Sequence, residues 1–353
     1  MASTPAIPGA VGTVDCPLTL TLDVVTAMLN FEFPDHPVYD SGELLWFDDA
    51  AHGTGMMAFV RRRVDRRVDY YPESSLRLNR EDFYLGGGIG AWSVTDFAAS
   101  RLRIARDGVL AEARFTDVDG RAIEIHIDDR DGSARRRCGL LAPVGDDIEH
   151  PSALFLVWLP RFDLVRRGAS EPVIRIDGQD VAVVQVPGPK LHRRHIIKYS
   201  TSLCTIELAR AFEGTLGHFT GASLTRSPDG REVTGISARG GQHRAQMIMQ
   251  PGLPDVRGLA EGEKVQGRWH VRIDDARLTG GRWFARRDGA TVRMGLDVDE
   301  RWRPGWLPSL MRFVVRVVPA FRRWPTTYRW RAELRLGQDT HMSSTWERIG
   351  GES

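Results

Sequence analysis

Moving a proton on or off an uncharged molecule takes a carboxylic acid, a histidine or a tyrosine held where water is scarce. Only there does the pKa of such a group approach the working pH. Residues of these types fall in two alternating stretches of the first half. In RAIEIHIDDRDG, residues 121–132, Glu124, His126 and Asp128 share one side of an expected strand and Ile123, Ile125 and Ile127 the other. The isoleucine side is the natural core side, which would put the ionisable row in water. In a closed barrel, however, one parity lines the lumen, and parity alone leaves both readings open. In GIGAWSVTDF, Asp96 follows Trp92 by four residues, on the same side if the strand is continuous, and Tyr84 precedes the glycine run GGGIG. The competing reading makes Asp96 a turn cap and Trp92 core filling.

The second half offers Tyr199, His218, His243 and Trp269. Trp269 alternates with Val271 and Ile273 in GRWHVRID and so faces a core or a pocket, whereas His270, Arg272 and Asp274 face the other way. His243 in GGQHRAQMIMQPG suits a pocket rim or a plain edge strand. The candidate proton donors are therefore Asp96, Glu124 and His218. Tyr84, Trp92, Tyr199, His243 and Trp269 are the candidates for contacting a substrate.

Signatures for other chemistries are missing from the sequence. GGGIG, residues 86–90, lacks the GxGxxG order, and there is no GxxxxGK[ST], GxSxG or HExxH. His192 and His195 in LHRRHIIKY have no carboxylate or cysteine cluster beside them in sequence, so no metal and no nucleotide cofactor is expected. The basic KLHRRH run reads as a solvated loop, and no nucleic-acid partner is expected.

The elements that must position these residues are strands. ARDGVL and DVDGRA place Asp-Gly pairs between alternating runs, and PDG, TGG and RDG mark corners in the second half. Thirty-six glycines, nineteen prolines and ten tryptophans in 353 residues fit a turn-rich β protein. Helices are expected around LTLDVVTAMLNF, over 200–214 in STSLCTIELARAFEG, and over 307–323. In the last, Pro308 fits a first turn and Pro319 a kink or an end. Net charge is +2, yet residues 1–60 contain no Lys or Arg while 301–335 carries nine arginines against Glu333 alone. That helix is read either as a cover over the sheets with solvated arginines or as a peripheral membrane contact. Three scattered cysteines, a first stretch without a basic n-region and no apolar run of spanning length point to a cytoplasmic protein, with peripheral membrane association as the further reading.

Paired β-rich halves, the segment GIGAWSV, the hairpin WFARRDGATVRMGLDV and the final strand TWERI give the chain a layout over roughly residues 30–350 that resembles the two-domain lipocalin-like group. That group includes carotenoid 1,2-hydratase, AttH-type proteins and the barrel-shaped Diels–Alderases of polyketide pathways. The resemblance implies a mainly β fold of two antiparallel barrel-like domains with a few peripheral helices. The expected division is an N-terminal segment 1–30, a first domain 31–185 and a second 186–353. It also implies a hydrophobic small-molecule partner, isoprenoid or polyketide-like, and a cofactor-independent hydratase, isomerase or cyclase. The alternative is a carrier or accessory protein with the same apolar volume and no inward proton donor; a structural protein would fill that volume with side chains.

Overall fold

The computed structural model describes residues 16–83, 88–144, 150–167, 170–188, 193–216 and 223–349. Alternation of apolar and polar residues governs nearly all of it. In chain order, β1 (Leu20–Val25), β2 (Ala27–Glu32), β3 (Tyr39–Asp49), β4 (Gly53–Arg62), β5 (Val68–Pro72) and β6 (Ile89–Trp92) come first. They are followed by β7 (Ala99–Ala105), β8 (Gly108–Thr116), β9 (Ala122–Asp128), β10 (Cys138–Ala142), β11 (Leu154–Arg166), β12 (Val173–Ile176), β13 (Gln179–Asp180), β14 (Arg194–Ser200) and β15 (Leu203–Leu208). The rest comprises β16 (Glu213–Thr215), β17 (Ser223–Arg226), β18 (Glu232–Gly240), β19 (His243–Pro254), β20 (Lys264–Ile273), β21 (Ala276–Asp288) and β22 (Thr291–Glu300), helices α1 (Ser309–Val317) and α2 (Pro319–Arg323), then β23 (Tyr328–Arg335) and β24 (His341–Arg348).

Ten strands form the first sheet in the order β1-β15-β11-β14-β2-β3-β4-β5-β6, with β10 also on β11. Every pair is antiparallel except β5 with β6. A five-stranded sheet, β13-β12-β9-β8-β7, covers one face of it. Leu29, Phe31, Leu44, Tyr71 and Tyr199 of the first sheet meet Val109, Phe115, Ile123, Ile125 and Ile127 in the core between them. The nine-stranded sheet β16-β24-β23-β22-β21-β20-β19-β18-β17 shares a second core with the other face. Strands β14 and β15, in the half of the sequence assigned to a second domain, pair into the first sheet.

The fold is mostly β, but the two closed lipocalin-type barrels expected from the sequence are not formed. Closure requires the end strands of a sheet to bond to each other. The first sheet is an open half-barrel ending in β1 and β6. In the nine-stranded sheet, β16 pairs with β24 and β17 with β18, and among the described residues they do not pair with each other. The expectation of a lipocalin-like β-barrel falls with them.

Two expected helices are strands. Residues 20–31 supply β1 and β2, and Cys204, Ile206 and Leu208 alternate as fully buried residues of β15 between β1 and β11. Their β-branched neighbours favour this pairing, and burial on a period of two overrides the weaker helical pattern. The expected 307–323 helix is α1 and α2, parted at Val318 and Pro319. The Asp-Gly turns are present, with Gly120 at φ 85° and Gly289 at φ 62°, conformations that cost glycine least. TGG is not a corner. Gly280 and Gly281 lie inside β21 opposite a bulge of β22 at Asp299, and a Cβ on Gly281 would lie 1.7 Å from the Asp297 carbonyl oxygen. The corner falls instead at Asp274 and Asp275, with Asp274 at φ 48°. No helix among the described residues is long and apolar enough to cross a membrane.

Candidate active site

Register fixes which side chains meet on a sheet face. Lys198, Asn30, Glu43, Phe59 and Tyr70 are successive cross-strand partners on β14, β2, β3, β4 and β5, and Tyr70 is partnered by Trp92 on β6. They form one transverse row on the face turned away from the five-stranded sheet. One end of the row is aromatic: Tyr70 lies 5.5 Å from Phe59, 6.0 Å from Phe83 and 5.6 Å from Trp92 between ring centres, and Phe83 lies 5.6 Å from Trp92. The other end is charged, with Lys198 paired closely to Glu32.

Glu43 stands where the two ends meet. Asn30 Nδ2 donates to Glu43 Oε2 at 3.2 Å. Burial pushes the carboxyl up to about 7, against the opposing pull of the Asn30 hydrogen bond and the Lys198 charge. Its surface is still partly open to solvent. The Tyr70 hydroxyl is buried and has no hydrogen-bond partner among the described residues, and burial followed by the Glu43 charge raises its pKa. An acid half-ionised near neutrality can give a proton and take it back. Two strands along the row lies the fully buried Tyr70 hydroxyl, and Phe59, Phe83 and Trp92, each only partly buried, supply aromatic wall.

The residues expected from the sequence are dispersed. Trp92 belongs to this row. Asp96 does not: β6 ends at Trp92, and Asp96 is exposed and accepts from Ser74 Oγ at 3.0 Å. Glu124, His126 and Asp128 lie on the wet face of the five-stranded sheet, near Arg114 (3.9 Å), Glu112 (3.5 Å) and Arg130 (2.7 Å) respectively. Ile123, Ile125 and Ile127 are the indoor side. Tyr199 is buried on the face opposite Lys198, its hydroxyl 3.2 Å from Asp163 Oδ2 and its ring 5.4 Å from the Arg137 guanidinium. Trp269 is fully buried in the nine-stranded sheet, donating to the Arg282 carbonyl at 3.1 Å. Tyr84, His218 and His192 lie outside the described residues.

His243 joins a different group. Its Nδ1 is 2.7 Å from Asp274 Oδ2 and its Nε2 3.4 Å from Ser202 Oγ, an order that resembles a serine nucleophile with its base and orienter. The Ser202 hydroxyl, however, donates to the Thr201 carbonyl at 2.8 Å, and Ser202 and His243 are only 6% and 8% exposed. The group ties the β14–β15 turn to the β18–β19 and β20–β21 turns. Ser202→Ala is expected to lower unfolding stability by about 1 kcal/mol in a denaturant titration. A fluorophosphonate probe should leave Ser202 unlabelled, and mass-spectrometric detection of an adduct there would refute the structural role.

Two other features compete less well. Asp129, just beyond β9, is also raised, to about 6, by burial. It is already held by Arg135 Nη1 at 3.1 Å and by the Arg166 backbone N–H at 3.0 Å, so it serves packing. A cleft of about 430 Å³ along β17, β18 and β19 is lined by Thr225, Thr234, Gln246 and Gln250 among others, and no lining residue is ionisable.

Sequence reasoning missed Glu43. The available signal was YDSGELLWFDD, in which Glu43, in mid-strand, shares parity with Leu45 and Phe47 of the core. No family model, curated protein or solved structure matches the chain. The likeness to the two-domain lipocalin-like group is thus corrected: its closed barrels are not formed, and no matching relative restores it.

Proposed function

We propose that this protein is a cofactor-independent acid/base enzyme acting on an apolar small molecule, with Glu43 as the proton donor. The observation that carries the reading is a partly accessible carboxyl raised to about 7 in one row with the aromatic wall of Phe59, Tyr70 and Trp92. In the simplest cycle the Glu43 proton goes to an alkene carbon of the substrate, leaving a carboxylate and a carbocation. The aromatic faces of Trp92 and Phe59 favour a cation. The carboxylate then recovers a proton either from water as it adds, which is hydration, or from a neighbouring C–H, which is isomerisation. Cyclisation follows if an internal double bond captures the cation before a C–H proton returns to Glu43. Three buried free cysteines suit a reducing, cytoplasmic setting.

The test is incubation of the protein in D₂O with a panel of apolar alkenes and enones, read by mass spectrometry. Deuterium entering carbon, or a hydrated, isomerised or cyclised product, is the expected result. Saturable binding with no exchange and no product across the panel would favour the alternative, a carrier that uses the same aromatic surface.

A further inference from the structure

We propose that residues 301–323 form a docking surface for an anionic lipid bilayer. Two chemistries coincide there. Helix α1 turns Met311 into the core and rests Leu310, Val314 and Val315 against it, yet its apolar stripe runs on into solvent. Phe313 is 63% and Val317 51% exposed; four residues apart, they stand on one side of the helix, with Trp306 and Val318 also exposed. Contiguous apolar surface of this kind is costly in water and marks a contact.

Around it lie Arg301, Arg303, Arg312, Arg316, Arg322 and Arg323, all exposed, and residues 301–332 contain no Asp or Glu. Nearby arginines outside the patch are neutralised: Arg329 and Arg331 on β23 bond Glu347 and Asp297, each at 2.7 Å. Arg301, Arg303, Arg316, Arg322 and Arg323 have no carboxylate partner among the described residues. The platform is fixed to the first sheet. Trp302 meets Trp158 of β11 edge-on at 6.1 Å, and the Arg136 guanidinium lies 3.7 Å over the Trp306 ring. Apolar side chains flanked by guanidinium groups match the acyl boundary and phosphates of an anionic leaflet. A nucleic acid would engage the arginines and leave Phe313 and Val317 in water.

The full chain is sedimented with phosphatidylcholine vesicles, with and without phosphatidylserine, and its binding to duplex DNA is measured in parallel. Binding to the serine-containing vesicles alone, weakened by salt, is expected. The double variant Phe313→Ser, Val317→Ser should lose tenfold or more by the estimate for exposed apolar insertion, roughly 0.8 kcal/mol per buried CH₂. At roughly fivefold per arginine lost, the triple variant Arg316→Glu, Arg322→Glu, Arg323→Glu should lose at least about a hundredfold. All substituted side chains are exposed, and unchanged circular dichroism checks the fold. The proposal is overturned if phosphatidylserine vesicles do not retain the protein, or if retention survives both variants. It is equally overturned if DNA binds as tightly and the serine double variant changes nothing.

Discussion

Glu43→Gln is expected to cut turnover by about 10²–10⁴-fold while making the protein more stable in alkaline solution. Both effects have the same cause. Glutamine keeps the shape and the polar contact to Asn30 but carries no transferable proton, so kcat falls and substrate binding changes little. The native carboxyl is raised from an ordinary value near 4.5 to about 7, so ionising it costs the folded state. Its stabilising preference for the neutral form is complete below about pH 4.5 and is lost as pH rises through about 7. That interval corresponds to about 3 kcal/mol at 1.36 kcal/mol per pH unit, reduced to about 2 kcal/mol because solvent reaches part of the group. Above pH 7 the variant should exceed the native protein by about that amount in urea titrations. The native rate should fall over the same range as the protonated donor is depleted. Unchanged turnover in Glu43→Gln would remove this residue from the chemistry, and an unchanged stability difference between pH 5 and pH 8 would remove the desolvated acid itself.

Trp269→Ala is expected to be the more damaging change for the fold, lowering unfolding stability by about 3–5 kcal/mol. The indole is fully buried in the nine-stranded sheet, with Met249 and Gly281 as its register neighbours, and its N–H is satisfied by the Arg282 carbonyl. Deletion leaves a cavity and an unpaired carbonyl. Trp330 and Trp346 are equally buried and Trp283 nearly so, so the same face is filled by side chains and has little freedom to collapse. The melting temperature should drop by roughly 10 °C at about 2–4 °C per kcal/mol. A lining residue of an open pocket would behave differently: ligand affinity would fall and the melting temperature would hold. Differential scanning calorimetry with and without a ligand from the panel distinguishes the two.

What the sequence by itself determined was local. The alternation in RAIEIHIDD set the isoleucines against the ionisable row before any partner strand was known, because a strand sends successive side chains to opposite faces. Asp-Gly at 119–120 and 288–289 marked real turns, since glycine accepts the positive φ they need. Pro308 marked the start of α1, where a missing N–H costs nothing, and Pro319 marked the break at which α1 ends and α2 begins. Tertiary structure decided everything that depends on who pairs with whom. Residues 20–31 and 200–214 carried mixed periodicities, and it was their burial beside β11, β14 and each other that made strands of them. Whether the sheets close rests on strand number, tilt and shear summed over many pairings, which no single segment encodes. Glu43 is unremarkable in its own strand. It becomes an acid near neutrality because burial in the assembled sheets strips water from the carboxyl, and this outweighs the opposing pull of Asn30 and Lys198, which register brings to one side of it. A pKa set by desolvation belongs to the assembled surroundings, and those come from residues up to 155 positions away in the chain, the separation of Glu43 and Lys198.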